Sequence, residues 1–137
     1  KKSIMKNFIL VLLLLFSTNV FTQEFINDDN FESKINQKHA FGDDQFNIVV
    51  VEFWVKFNEQ NAFQDWEKIS GIKYFRADIQ HVPTMKKKFR VRMAPTIIIF
   101  NQGIKEQVFK AGLDLLVPVT LEELMESIEE LKTANKF

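Results

Sequence analysis

Ile48 to Trp54 reads IVVVEFW, and the fold turns on this run. Its β-branched and aromatic residues favour extended backbone, and its apolar residues do not alternate with polar ones. That pattern belongs to a central strand covered on both faces, as when helices flank a sheet on both sides. Glu52 is the one charge inside it. Outward from this run the segments alternate in type. Upstream, Glu24 to Ile26 reads as a short strand, Asp28 or Asp29 as the cap of a helix burying Phe31 and Ile35, and Ala40 to Gln45 as a loop. Downstream, Asn61 to Ser70 reads as a helix with Ala62, Phe63, Trp66 and Ile69 on one stripe and Gly71 as its stop. Ile72 to Ile79 (IKYFRADI) reads as a strand and Pro83 to Phe89 as a short basic helix.

Pro95 to Phe100 (PTIIIF) is a further strand, and its proline stands at the start, where no ladder N–H is needed. Asn101-Gln102-Gly103 turns it into an alternating strand from Ile104 to Ala111, so the two predict a hairpin. Thr120 and Glu123 form a capping box, and Leu121, Leu124, Ile128 and Leu131 make the apolar stripe of a last helix. The order β-α-β-α-β-α-β-β-α predicts an α/β fold with a central mixed β-sheet flanked by helices on both faces.

With 137 residues the chain is expected to form one domain. Fifteen Phe against two Trp and one Tyr supply a large apolar core. Lys+Arg and Asp+Glu are 18 each, so the overall basic excess that phosphate-backbone binding uses is absent, and nucleic acid is not an expected partner. There is no Cys, which excludes disulfides, thiolate metal sites and thiol nucleophiles.

The first residues suggest a compartment. Lys1, Lys2 and Lys6 precede an apolar run from Phe8 to Phe16 (FILVLLLLF), followed by the more polar Ser17 to Thr22. A charged start, a short apolar run and a polar end describe a secretory signal peptide; the run is shorter than the roughly 20 residues that span a bilayer. The expectation is a signal peptide over residues 1–22, cut near Thr22 and Gln23. It would leave a domain over residues 23–137, with no stable membrane span, in the periplasm of a bacterium.

Val51 to Asn61 (VEFWVKFNEQN) resembles the active-site region of the thioredoxin-like superfamily, which runs hydrophobic, acid, F-W-x-x-W-C-G-P-C. Glu52 matches the family's buried acid, and Phe53 and Trp54 match directly. Phe57 stands at the second Trp. Asn58, Glu59, Gln60 and Asn61 replace the C-G-P-C. Val91 to Phe100 (VRMAPTIIIF) resembles the family's cis-proline segment, which implies that Pro95 is cis. Lys110-Ala-Gly112 and Phe25 to Ile35 extend the resemblance over roughly residues 24–135. Three departures stand out: the missing cysteines, Trp66 at the usual helix-kinking proline, and a longer, more apolar link from Leu113 to Val119 (LDLLVPV).

The resemblance implies thiol–disulfide oxidoreductase activity and a part in redox homeostasis, but the departures remove it. Exchange requires an attacking thiolate and a resolving thiol, and an Asn amide is neither. The chain is therefore expected to have no catalytic residues, cofactor or metal. It is expected to act as a non-catalytic protein- or peptide-binding module of the cell envelope, or as an accessory subunit of an envelope complex. In the family an extended peptide pairs with the backbone before the cis-proline. The corresponding groove here comprises Trp54, Phe57, Met93, Ala94 and Pro95, with Leu113 to Val119 as a second candidate interface. The alternative is an enzyme of non-thiol chemistry using Glu52 and the Asn pair.

Other residues offer less. Glu52 is expected to be satisfied by water, by Lys56 or by the Asn pair. His39 and His81 have no catalytic partners in sequence and read as surface residues. Asp28-Asp29-Asn30 lacks EF-hand spacing and reads as a cap. Lys86-Lys-Lys88, Arg90 and Arg92 read as a solvated helix face or as a contact for an acidic partner or an anionic membrane surface. The Glu residues of the last helix read as a solvated face.

Overall fold

A computed structural model describes residues 24–36, 47–69 and 71–136. Strands β1 (Glu24–Ile26), β2 (Ile48–Trp54), β3 (Lys73–Asp78), β4 (Thr96–Asn101) and β5 (Ile104–Lys110) form one sheet in the order β1-β3-β2-β4-β5. β3 is parallel to β1 and β2, and β4 is antiparallel to β2 and β5. The sheet is thus mixed, with β2 at its centre and every β2 residue buried.

Successive side chains of β2 point to opposite faces, which divides the core in two. Val49, Val51, Phe53, Phe75, Ile98 and Phe100 pack under helices α1 (Phe31–Ile35) and α2 (Pro83–Lys88). Phe31 sits with its ring centroid 5.7 Å from Phe53 and 5.6 Å from Phe89. Ile48, Val50, Tyr74, Ile97 and Ile99 pack on the other face under helix α3 (Leu121–Asn135), through Leu124 and Ile128. The capping box expected for α3 is present: Glu123 N–H donates to Thr120 Oγ1 and Thr120 N–H to Glu123 Oε2.

The expected Asn61–Ser70 helix is absent. Two short 3-10 helices, Lys56–Asn61 and Asp65–Lys68, stand there, with Ala62 extended between them (φ −65°, ψ 154°). The physical reason lies in the strand. The Phe63 N–H donates to the buried carboxylate of Glu52 at 2.6 Å, so it is not available to a helical carbonyl. The apolar residues of the expected stripe still reach the core. Phe63 and Trp66 stack on Tyr74 with centroids 5.9 and 6.5 Å away.

Two smaller expectations also change. Asp28 and Asp29 do not cap α1; Asn27 Oδ1 accepts from the Asp29 and Asn30 N–H groups instead. Asp28 caps α2 across the fold, accepting from the N–H groups of Thr84 (3.0 Å) and Met85 (3.1 Å). Desolvation, the largest single influence, would raise its pKa. The Thr84 and Met85 N–H groups and the Thr84 side chain outweigh that and hold the carboxyl below the usual carboxylate range. Strand β5 does not alternate: Ile104, Lys105 and Glu106 are exposed and the next three residues half-buried, as an edge strand allows.

The Ala94–Pro95 bond is cis, as the resemblance implied. The hairpin between β4 and β5 turns on Gln102 and Gly103, both at positive φ (52° and 79°), the pattern of a two-residue type I′ turn. Gly103 is also needed for space: a Cβ there would lie 1.9 Å from Asn36 Oδ1. His39 and the loop expected at Ala40 to Gln45 lie outside the described residues, as does the expected signal peptide. Among the described residues no helix is long and apolar enough to cross a membrane.

Candidate functional site

β2 ends at Trp54, and the first 3-10 helix carries Asn58, Glu59, Gln60 and Asn61. Asn58 is buried there and ties three pieces of backbone together. Its Nδ2 donates to the Ala94 carbonyl at 3.2 Å and to the Leu115 carbonyl at 2.9 Å. Its Oδ1 accepts from Asn61 Nδ2 at 2.7 Å. A primary amide has two N–H donors and one carbonyl oxygen, so this one side chain bridges the 3-10 helix, the cis-proline segment and the link after β5. Leu115 presents its carbonyl from a left-handed backbone (φ 57°), which an L-residue adopts only at a cost. Glu59 and Gln60 are exposed. These bonds make a closed knot that carries no thiol.

Glu52 lies behind this knot, wholly buried. Two of its partners are Phe63 and Arg76, which the sequence did not point to. Oε2 accepts the Phe63 N–H, and Oε1 receives Arg76 Nε at 3.3 Å. Arg76 stands directly across from Glu52 in the β2–β3 register, so the pair points to one face of the sheet. The Arg76 guanidinium also lies 4.8 Å from the Trp54 ring centroid and 5.9 Å from that of Phe25. Sequence reading passed over Arg76, although an arginine between Phe75 and Ala77 in the middle of the strand was the available signal.

Tyr74 shares that face of β3. Burial, then the charge of Glu52, push its phenol well above the ordinary value of 10.0, with Arg76 acting in the opposite direction. Its hydroxyl and the Trp54 Nε1 have no hydrogen-bond partner among the described residues.

Of the five residues expected around a peptide groove, Trp54, Ala94 and Pro95 are buried, Met93 is half-buried and Phe57 is 79% exposed. The Ala94 carbonyl accepts from Asn58, so a strand-like ligand would share that acceptor with the amide. A cleft opens instead on the other side of Phe57. It encloses about 840 Å³, the size of a small-ligand or peptide site. Val55, Phe57, Ile79, Pro83 and Val91 provide its apolar surface, and Lys86, Lys87, Arg90 and Arg92 its charge. Among the described residues no carboxylate lines it.

The Leu113–Val119 link exposes three apolar side chains beside Asp114: Leu113 is 97% exposed and Leu116 and Val117 are exposed, while Val119 enters the core. It borders a second cleft of about 570 Å³ against the 3-10 helices. His81 is a surface residue near Asp78. No group of three metal-ligating side chains occurs among the described residues.

In fold the chain is similar to solved thioredoxins. That of Malassezia sympodialis superposes with a TM-score of 0.57 at 17% identity, covering 81% of this chain and 91% of that one. A mutant thioredoxin of Halobacterium salinarum reaches 0.58 at 13% identity, over 80% and 90% of the two chains. Plasmodium falciparum thioredoxin reaches 0.52 at 17% identity, over 78% and 97%. No protein-family model matches the chain, and no curated protein matches it in sequence.

Proposed function

We propose, from a thioredoxin-like fold that holds no cysteine, that this chain is a non-catalytic protein-binding module exported to the bacterial cell envelope. It works alone or as an accessory subunit of an envelope complex. The observation that carries the reading is the Asn58 knot beside an open cleft: the position that would react is tied shut by three hydrogen bonds, while Phe57 next to it is left in solvent. An exposed aromatic beside a concave apolar surface suits capture of a partner segment. The charged, apolar N-terminal run supports export. Thiol–disulfide exchange is absent because the chain has no thiol.

A second reading has its own observation. Leu113, Leu116 and Val117 form an exposed apolar link, and such a surface marks a protein contact. The enzyme alternative has little support, since Glu52 is sealed, paired with Arg76 and absent from the lining of both clefts.

The test is a pull-down from the envelope fraction of the source organism, using the wild-type chain, Phe57→Asp and Leu113→Asp/Leu116→Asp. A discrete partner lost with Phe57→Asp supports the cleft. A partner lost only with the link variant supports the second reading. No partner retained by the wild type removes both.

A further inference from the structure

We infer that the cleft beside Phe57 selects acidic, partly apolar peptide segments; the inference rests on the binding-module reading and names what the module takes. Three observations meet here. First, the charge is one-sided. Lys86, Lys87, Arg90 and Arg92 line the cleft, no carboxylate does, and no ion pair engages these four among the described residues. Lys88, outside the lining, is paired with Glu32. In a chain whose formal net charge is zero, this concentration is local rather than a general basic character.

Second, the backbone holds Arg90 where glycine is favoured. Helix α2 ends with Val91 N–H donating to the Lys86 carbonyl and Arg90 N–H to the Lys87 carbonyl. These are the two bonds of a Schellman cap, which places Arg90 at its left-handed residue (φ 55°). Glycine normally fills that position because an L-residue is strained there. The strain is tolerated and a guanidinium stands at the cleft. Strain of this kind collects at binding sites.

Third, the floor is apolar. Val55, Ile79, Pro83 and Val91 line the cleft together with the cations, and Phe57 is largely exposed. An extended segment alternating carboxylates with apolar side chains matches both features, and it can enter a concavity of about 840 Å³. A flat anionic bilayer cannot follow the surface into the cleft.

The experiment is fluorescence anisotropy with the purified chain and short fluorescein-labelled peptides in which Leu and Phe alternate with Glu or, as control, with Lys. Phosphatidylglycerol vesicles are tested by co-sedimentation. The Glu peptide should bind and the Lys peptide should not. Binding should weaken as salt rises from about 0.01 to about 0.15 M, over which the Debye length falls from about 30 to about 8 Å. Lys87→Glu/Arg90→Glu should weaken it by about tenfold or more. Lys73→Glu/Lys105→Glu, with the same change of net charge on other surfaces, should alter it by less than about twofold.

Arg90→Gly separates binding from folding: it should raise Tm by relieving the left-handed arginine, yet weaken the Glu peptide. Equal binding of both peptides, indifference to the Lys87/Arg90 reversal, or preference for vesicles over the Glu peptide overturns the inference. A partner captured through Phe57 in the pull-down, alongside failure of the Glu peptide, would sink the acidic selectivity and leave the binding module standing.

Discussion

Replacing Arg76 with Leu should remove much of the stability of this domain. Glu52 is wholly buried, and the Arg76 side chain is 11% exposed, so the pair lies in surroundings that screen it little. Removing one partner of a buried ion pair leaves an uncompensated charge and costs about 3–5 kcal/mol. The guanidinium over the Trp54 ring adds an attraction of about 0.5–2 kcal/mol. Leu recovers part of that by filling apolar space, so about 3–5 kcal/mol is the expected loss. In a domain of about 100 residues each kcal/mol moves Tm by about 4–8 °C, so the melt should fall by roughly 12 °C or more.

Urea and thermal melts followed by tryptophan fluorescence and near-UV circular dichroism measure it. Adding Glu52→Gln to Arg76→Leu removes the buried carboxylate's charge while keeping an acceptor for the Phe63 N–H. The double variant should therefore be more stable than Arg76→Leu alone by about 2 kcal/mol, because the charge penalty is gone. A loss below about 1 kcal/mol in the single variant, or a double variant less stable than the single, would refute the reasoning.

Gly103→Ala should cost about 1–2 kcal/mol or more in a urea titration, since the turn needs positive φ and the new Cβ meets Asn36. Asn58→Ala strips the donor from the Ala94 and Leu115 carbonyls; it should cost about 1–3 kcal/mol and raise hydrogen exchange around Leu115 before any change in β2. Tyr74 is the only tyrosine, so ultraviolet titration of phenolate reports it alone. Its folded pKa is raised above the unfolded 10.0, so above that pH the unfolded chain loses a proton that the native state keeps. Stability should therefore fall as pH climbs past about 10, and Tyr74→Phe should flatten that part of the decline. At neutral pH Tyr74→Phe should be neutral or slightly stabilising, because the buried hydroxyl has no partner among the described residues.

The elements that were legible in sequence are those whose cause is local. IVVVEFW reads as a doubly covered strand because every position is apolar or aromatic except one. The Thr120–Glu123 box and the Asn101 to Gly103 turn carry their own geometry. What escaped depends on partners far along the chain. Ala62, Phe63, Trp66 and Ile69 fit a helical stripe, and they do cover one sheet face, but a carboxylate eleven residues upstream claims the Phe63 N–H and breaks the helix. Asp28 looks like a cap for the helix next to it and caps another, 56 and 57 residues away.

The site divides the same way. The loss of chemistry was plain from the absence of Cys. That Asn58 would reach the Leu115 carbonyl was not, because the reach depends on a left-handed residue in a link with no regular structure. Arg76 as the partner of Glu52 needed the β2–β3 register, which no local pattern reports. The basic run from Lys86 to Arg92 was visible, but its placement around a cleft depends on the fold.

We propose that the surface at Phe57 binds a protein while the Asn58–Asn61 segment, which has no thiol, carries no redox chemistry. Site-specific photo-crosslinking in cells of the source organism tests it most directly, with a benzophenone side chain at Phe57 and, as control, at the exposed Met125 on α3. The account predicts one or a few discrete adducts from Phe57 and none of them from Met125. No adduct from Phe57, or the same pattern from both positions, would contradict it.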